Sequence, residues 1–358
     1  MINFYDLEFK RVVLHQIVAK SDGMEHATVV PDENLFELSE DVENVIKERL
    51  AKSASKVTKA FEPEILDYHG GTFFGFCETL KEKGNSNFLA TSVDIAMLLA
   101  RAQTKNNIPG GSFIFIEAIS KSFKTCYIAI KAEWNTALRY EIHNRQSQIK
   151  LLDDIFLDSS SKNFKVGAIF EKDESGFEVP YPNSLFGAYF YDEQFTIDSK
   201  PAEYFYQDFL GFTLESLPKI QSMKFYNNTD NYIRTFVESH DEKDNLLLAL
   251  KQEFLSNEEP NISPMEFAEM YFHEPDMKDT YLNEVASYLP KTITKDPLLI
   301  KSKLDKKKIE FPNNIALSGP QKTFDFSVQI INSKDEIDDI NFEDDVTILK
   351  IKGKPYRK

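Results

Sequence analysis

The spacing of apolar residues predicts a series of strands in the first half of the chain. Apolar or alternating positions over 9–19 and 26–30 indicate two strands, and Asp22 with Gly23 supplies the turn of a hairpin between them. Short runs rich in β-branched and aromatic residues predict further strands at 112–119, 124–133, 165–171 and 186–191. We expect the first two of these to form a central β-hairpin.

Helical periodicity interrupts the strands at three places. Ser39 is suited to cap a helix that has an acidic first turn and apolar residues at helical spacing. The predicted helices of this half cover 40–60, the stretch from Thr91 or Ser92 to about Gln103, and 143–152. Strands mixed with helices in this way are typical of an α+β fold with a largely antiparallel sheet.

The second half has a different pattern, in which helical spacing dominates after about Thr196. Ser199 is expected to cap a helix with Pro201 in its first turn, and Ser263 begins a capping box with Glu266. Additional helices are predicted at 218–238, 241–256 and 276–289, and strands near 323–331 and 345–352.

These patterns predict two domains. The first is an α+β domain with a central β-hairpin over 1–196. The second is a mostly helical domain with C-terminal strands and a basic tail over 197–358. A chain of 358 residues is long enough for two domains of ordinary size.

The composition and the N-terminal residues indicate where in the cell the protein is expected. The apolar share of 42% is ample for packed cores. No apolar run approaches the roughly 20 residues that a membrane span needs. The first residues also lack the basic start and apolar stretch of a signal peptide. We therefore expect a cytoplasmic protein without a membrane segment.

Charge is segregated along the chain. The formal net charge is −16, which opposes general binding of polyanions. Two short segments run against this balance: 301–308 carries a net +4 and 350–358 a net +5, so the remainder carries −25. Their basic residues are Lys301, Lys303, Lys306, Lys307, Lys308, Lys350, Lys352, Lys354, Arg357 and Lys358.

These two basic segments are the candidate DNA-binding residues of the chain. The simpler interpretations are a solubilising loop at 301–308 and a frayed tail at 353–358, since charge runs are usually solvated surfaces. For the tail, an acidic stretch over 335–345 could also provide intramolecular partners.

Neither cysteines nor histidines form a recognisable site. Cys77 and Cys126 lie outside any Cys-x-x-Cys pair, so two buried, reduced thiols are expected. The six histidines are scattered, and His15 within an apolar strand is expected to be a hydrogen-bonded core residue. No phosphate-binding loop, zinc motif or nucleophile elbow is present in the sequence. We expect no cofactor, no metal site and no catalytic residue.

A metal-dependent nuclease is the enzymatic alternative. Its candidate residues near the central hairpin are Glu117, Lys131 and Glu133. Such nucleases place a carboxylate two residues before a lysine on one strand, whereas here the lysine comes first. Solvated charges at a sheet edge are the simpler interpretation.

The aromatic residues Tyr204, Phe205 and Tyr206 allow two interpretations. They could stack on the bases of single-stranded nucleic acid. Consecutive residues of a helix cannot all face one ligand, however, and Phe205 shares an apolar stripe with Phe209. Packing in the core is the favoured prediction.

Four blocks in succession carry a family resemblance: VVLHQIV at 12–18, PGGSFIFI at 109–116, KPAEYFYQDFLGF at 200–212 and VTILKIKGKP at 346–355. In this order they resemble the NdpA/YejK-like family of bacterial nucleoid-associated proteins, whose members end in an apolar strand that leads into a Lys-Gly dipeptide. The resemblance covers about 6–354 and implies association with DNA at the nucleoid.

The sequence and the resemblance together predict a non-catalytic protein that binds the backbone of double-stranded DNA with little sequence preference. A homodimer is expected, because a second copy doubles the basic contacts. Part of its interface could be the aromatic segment 204–212. The alternative is a protein-interaction module, such as a topoisomerase partner or a component of anti-phage defence.

Overall fold

The computed structural model describes residues 2–83, 87–121, 124–133, 135–143, 146–155, 164–172, 185–196, 202–311, 315–331 and 348–353. The chain folds into two compact units, Met1–Ile220 and Gln221–Lys358. The sequence-based boundary between 196 and 197 stays a prediction.

Both helices and strands occur, with the large antiparallel sheet in the N-terminal half. The strands are β1 Leu7–Val18, β2 Thr28–Val30, β3 Ala60–Phe61, β4 Glu64–Ile65, β5 Gly111–Ser120, β6 Thr125–Ala132, β7 Asn135–His143, β8 Gln146–Ile155, β9 Phe164–Glu171, β10 Phe186–Asp192, β11 Phe212–Thr213, β12 Asn261–Ile262, β13 Ile293–Thr294, β14 Lys306–Phe311, β15 Ile315–Pro320, β16 Val328–Ile331 and β17 Ile348–Ile351. The α-helices are α1 Glu40–Ser55, α2 Phe73–Lys83, α3 Phe88–Ala102, α4 Pro218–Phe236, α5 His240–Leu255, α6 Pro264–Tyr271, α7 Pro275–Glu284, α8 Lys301–Leu304 and α9 Gln321–Ser327. The α+β fold class predicted from the sequence is confirmed.

One sheet organises the first unit. Its seven described strands follow the order β2-β1-β5-β6-β9-β10-β3, and each neighbouring pair is antiparallel. The register aligns one row of side chains across five strands, namely Val12, Ile116, Ile128, Ala168 and Tyr189. All five are buried in one apolar cluster, so the alternating pattern of each strand places its apolar residues on a common face.

Helices cover both faces of this sheet. On the face with the aligned row, α1 buries Ile46 and Leu50 in the same cluster. The cap at Ser39 that begins α1 is confirmed, since its side chain accepts from the Val42 N–H. On the opposite face, the Phe115 ring packs against Phe88 of α3, with centroids 5.4 Å apart.

The segment around 204–212 is packed into the first unit. Residues Tyr204–Phe209 form a π-helical turn, while the predicted start of this helix at Ser199 lies outside the described residues. Phe205 and Phe209 are buried, and Phe209 lies against Phe113 of the sheet, with centroids 5.9 Å apart. The prediction of core packing is therefore confirmed, and these side chains are not free to form a dimer interface.

The predicted core roles of the cysteines and of His15 are also confirmed. Cys77 and Cys126 are buried free thiols, and burial raises the pKa of both well above the usual range. His15 is completely buried, with Ser92 Oγ 2.9 Å from its Nε2 and the Asp32 backbone N–H donating to its Nδ1 at 3.0 Å.

The second unit has its own core between helices α4 to α7. Phe225, Leu250, Phe267 and Tyr281 contribute one large side chain from each of these helices. Within it, the Tyr281 and Thr229 hydroxyl oxygens lie 2.8 Å apart, so this buried phenol is hydrogen-bonded. The helices match those predicted from the sequence within a few residues, and α6 begins at the predicted cap, Ser263.

The structure corrects two secondary-structure predictions. The described residues of the predicted helix 143–152 are in strands, because β8 pairs antiparallel with β7 and His143 lies opposite Gln146. Strand pairing with a neighbouring segment outweighs local propensity here. The predicted strand at 323–331 is helical in its first part, α9, and only its end forms β16.

The periodicity of burial explains the second correction. Phe324 is 4% exposed and Phe326 is 72% exposed. In a strand these two residues would share one face, whereas in a helix they lie about 200° apart around the axis. The helix therefore buries the first ring and leaves the second in solvent.

Candidate nucleic-acid interface

The first basic segment is ordered secondary structure and not the loop of the simpler interpretation. Its first lysines belong to α8, and β14 begins at Lys306 and pairs with β15. The Lys303 ammonium donates to Asn227 Oδ1 of α4 at 3.0 Å. The Lys251 ammonium of α5 donates to the Lys306 carbonyl at 2.5 Å. These contacts attach the lysine-rich stretch to two helices of the second unit.

Both basic segments contact the short helix α9. From β14, Lys307 forms an ion pair with Asp325 at 2.8 Å, and its ammonium lies 5.6 Å from the centroid of the Phe324 ring. From the residue that follows β17, the Lys352 ammonium lies 4.0 Å from the centroid of the Phe326 ring. Two segments more than forty residues apart in sequence thus meet at three consecutive residues of one helix.

The other predicted DNA-binding residues are either exposed or outside the described part of the structure. Lys301, Lys306 and Lys350 are exposed. Lys308 belongs to β14 and lies opposite Ser318, but its side chain is outside the described part of the structure. The last three, Lys354, Arg357 and Lys358, fall outside the described residues.

The structure adds two basic residues that the sequence pattern does not single out. Burial lowers the pKa of Lys251, and nearby Arg234 and Lys307 lower it further, while Asp230 opposes the shift. The hydrogen bond from Lys251 to the Lys306 carbonyl places Lys251 beside the basic strand β14, and Arg234 forms an ion pair with Asp230 at 2.8 Å. Their sequence neighbours are mixed in charge, so only the packing of α4 and α5 reveals them.

The described residues around α9 carry a net positive formal charge, although the acidic stretch 335–345 follows β16 in the sequence. The described residues from β14 to 353 contain six lysines and two acidic residues, a net charge of +4. They are Lys306, Lys307, Lys308, Lys322, Lys350 and Lys352, with Glu310 and Asp325. A local excess of this sign in a chain of net charge −16 marks the surface as a candidate for binding an anionic polymer.

A model of the family described as nucleoid-associated protein YejK matches residues 13–354, nearly the whole chain. The chain belongs to this family. The resemblance seen in the sequence is therefore confirmed, and a nucleoid-associated role follows from it. No curated protein matches the chain.

The three candidate nuclease residues, Glu117, Lys131 and Glu133, do not come together in one site. Glu117 accepts from Arg11 Nε at 2.5 Å and lies opposite Tyr127 on β6. Lys131, on the same strand as Tyr127, is four residues farther along, which corresponds to about 13 Å. Glu117 is therefore separated from Lys131 and from Glu133.

Lys131 instead belongs to a buried polar network. It donates to the Pro109 carbonyl at 2.9 Å, and its ammonium lies 4.0 Å from Glu133 Oε1. The cross-strand neighbour Lys165 forms an ion pair with Asp192 at 3.3 Å. The pKa of Lys131 is lowered to about 8, mainly by burial and also by Lys165, while Glu133 and Asp192 oppose the shift.

This network is balanced in charge and closed to solvent. Two lysines face two carboxylates, and all four residues are at most 8% exposed. Such groups are satisfied by one another, as buried charges must be. Among the described residues, no group of three or more His, Cys, Asp or Glu side chains could hold a metal ion.

The pair His15 and Ser92 has a geometry that superficially suits a nucleophile and base. His15 Nδ1 accepts from the backbone N–H of Asp32, so the ring proton resides on Nε2, which faces Ser92 Oγ. The Ser92 hydroxyl in turn donates to the Leu89 carbonyl at 2.7 Å. In this tautomer the ring cannot accept the serine proton, and the pair serves packing.

Within the described ranges, no helix is long and apolar enough to cross a membrane.

Proposed function

We propose that this nucleoid-associated protein binds double-stranded DNA in the cytoplasm through phosphate contacts, with little sequence preference and without catalysing a reaction. The basic residues of 301–308 and 350–358 make the contacts, and Lys251 adds to the local positive field. Lysine ammonium groups act as point charges for phosphate and read no base edge, which accounts for the weak sequence preference.

The observation that carries this proposal is the meeting of both basic segments at α9. Lys307 contacts Phe324 and Asp325, and Lys352 contacts Phe326 on another side of that helix, so α9 holds the two segments close to each other. Two basic segments within reach of one duplex make more phosphate contacts than either segment alone.

The net negative charge of the chain does not prevent such binding. At physiological ionic strength the Debye length is about 8 Å, so charges beyond that distance from a phosphate are largely screened. The lysines at α9 then act on adjacent phosphates with little opposition from acidic residues farther away.

Self-association is part of the proposal. A two-fold copy presents a second basic surface and raises the effective concentration of DNA at the first. Sedimentation is expected to show a species larger than the 41.3 kDa monomer at micromolar concentration. A single monomeric species over that range would contradict this part of the proposal while leaving the DNA contacts untouched.

The decisive experiment measures duplex affinity against salt concentration. In one variant, Lys301, Lys306, Lys350 and Lys352 are changed to Gln. If each makes a phosphate contact, the slope of log affinity against log salt falls by about 0.9 per residue, or about 3.6 in total. The loss is expected to be equal for unrelated duplex sequences.

A matched control removes the same charge elsewhere. Exposed Lys52, Lys105, Lys121 and Lys291 are changed to Gln, which leaves the α9 surface intact. The control is expected to retain the salt slope of the unmodified protein. An equal slope in both variants would refute the assignment, and no duplex binding at low salt would favour the protein-interaction alternative. Incubation with supercoiled DNA and Mg²⁺ or Mn²⁺ tests the non-catalytic part, and cleavage would refute it.

A further inference from the structure

The ring of Phe326 is exposed beside Lys352, the residue that follows β17. It is 72% exposed, although a phenylalanine side chain gains considerably from burial. A single exposed apolar residue is common on protein surfaces and by itself indicates nothing. Here the ring is instead part of an ordered arrangement, because the Lys352 ammonium lies 4.0 Å from its centroid.

The neighbouring strand supplies a second cation in register. Lys350 and Lys352 are two residues apart on or directly after β17, so their side chains leave the same face, about 7 Å apart. The backbone N–H of Lys352 donates to the Ser327 carbonyl at 2.8 Å, which joins β17 to the end of α9 directly after Phe326. The Phe326 ring, the Lys352 ammonium and the neighbouring residue Lys350 therefore belong to one small patch.

We propose that this patch, formed by Phe326, Lys350 and Lys352, binds single-stranded DNA by stacking an unpaired base on the Phe326 ring. The proposal rests on the DNA-binding function above and extends it to a second form of DNA. The two lysines contact the phosphates that flank the stacked base.

Charge and ring geometry favour nucleic acid over a protein partner. Bases present a flat π-face to any aromatic ring, and a cation held against the ring adds to the attraction. A hydrophobic peptide would gain from the ring, but it would have to desolvate two ammonium groups without offering them an anion. A duplex cannot use the ring, because its bases are already stacked and paired.

Position in the fold explains why α9 exposes one ring and buries the other. Phe324 anchors the helix in the second unit, and Phe326 points away from it as a consequence of the helical period. Substitution of Phe326 therefore removes no core contact. The site can be tested without unfolding the protein.

The test compares labelled thymidine oligonucleotides, single-stranded and as a duplex with adenosine, for the full-length protein and its Phe326→Leu variant. Loss of one stacked base is expected to weaken single-strand binding by about 5- to 100-fold. Duplex affinity is expected to change by no more than about twofold, as for a surface substitution. Tyr288→Leu, at a residue that is 81% exposed and distant in sequence from the lysines, serves as the control and should change neither.

A Phe326→Trp variant gives an independent reading. Stacking of thymidine on the introduced tryptophan should quench its fluorescence. The affinity for the single-stranded oligonucleotide should be kept or increased. A deoxyuridine and a uridine oligonucleotide, which differ only in the sugar, distinguish DNA from RNA: equal quenching assigns the patch to single strands of either sugar, and quenching by deoxyuridine alone assigns it to DNA.

Two results would overturn the proposal. Unchanged single-strand affinity in Phe326→Leu would show that no base stacks there and would leave the ring to a protein contact. An equal loss for single strand and duplex would show that the ring supports the lysines only. In either case retained duplex binding with its salt slope would preserve the proposed function, whereas its absence would refute that function separately.

Discussion

The buried ion pair between Lys165 and Asp192 allows a sharp test of what holds the first unit together. The two residues are 3% and 2% exposed, with 3.3 Å between the ammonium and the carboxylate. Asp192 also accepts from the backbone N–H groups of Gln194 at 3.0 Å and Ala202 at 3.1 Å. It thereby connects strand β10 to the start of the π-helical turn. The perturbation is Asp192→Asn, which keeps the size of the side chain and removes its charge.

The expected cost follows from burial. An asparagine oxygen can still accept one of the two backbone donors, so the larger loss is the charge left on Lys165, which then keeps the neutral acceptor Gln194 Oε1 at 2.7 Å but no carboxylate. Breaking one side of a buried pair costs about 3–5 kcal/mol. This is a large part of the roughly 5–15 kcal/mol that stabilises a typical domain. The loss of Asp192 also removes an interaction that raises the pKa of Lys131, which should fall further.

Urea unfolding followed by far-ultraviolet circular dichroism measures the effect. A second variant adds Lys165→Met, which removes the unpaired charge and is expected to recover most of the stability. The double-mutant cycle should give a coupling energy above about 2 kcal/mol. The control is Glu269→Gln, which breaks the exposed pair with Lys278 and should cost less than about 1 kcal/mol.

Two outcomes would refute this reasoning. Asp192→Asn could behave like the exposed control, within about 1 kcal/mol of the unmodified protein, which would mean that the carboxylate is not buried as a charge. Alternatively, Lys165→Met could fail to rescue it, which would assign the cost to the lost backbone hydrogen bonds and not to the charge.

Two further predictions concern single residues. Burial lowers the pKa of His15 although Asp32 opposes this, so the folded state binds its proton more weakly than the unfolded chain and stability should fall as the pH drops below about 6.5. His15→Asn should flatten the pH dependence of the urea midpoint in that window, and an unaltered dependence would exclude His15 as its source. Gly211 has φ +69°, and a Cβ there would lie 2.6 Å from Asp67 Cβ, so Gly211→Ala should cost about 1–3 kcal/mol in the same assay. Equal stability of this variant would show that the turn tolerates a side chain.

Local periodicity alone determined much of the fold. The alternation over 9–19 and the apolar run over 112–119 predicted strands that the structure pairs residue by residue, because burial of one face requires that period. The cap at Ser263 was equally predictable, since its hydroxyl satisfies an N–H group that the helix itself cannot. Core burial of Phe205 followed from its helical spacing with Phe209.

Tertiary structure decided the remainder, and the reason is the same in each case. The stretch 143–152 contains no decisive period, and its partner β7 makes it a strand. The lysines of 301–308 and of β17 were visible in the sequence as charges, but their meeting at α9 depends on contacts between distant segments. Lys251 is one lysine among many until α5 packs it against Lys306. Composition records how many charges a chain carries, whereas a binding surface depends on where long-range packing places them.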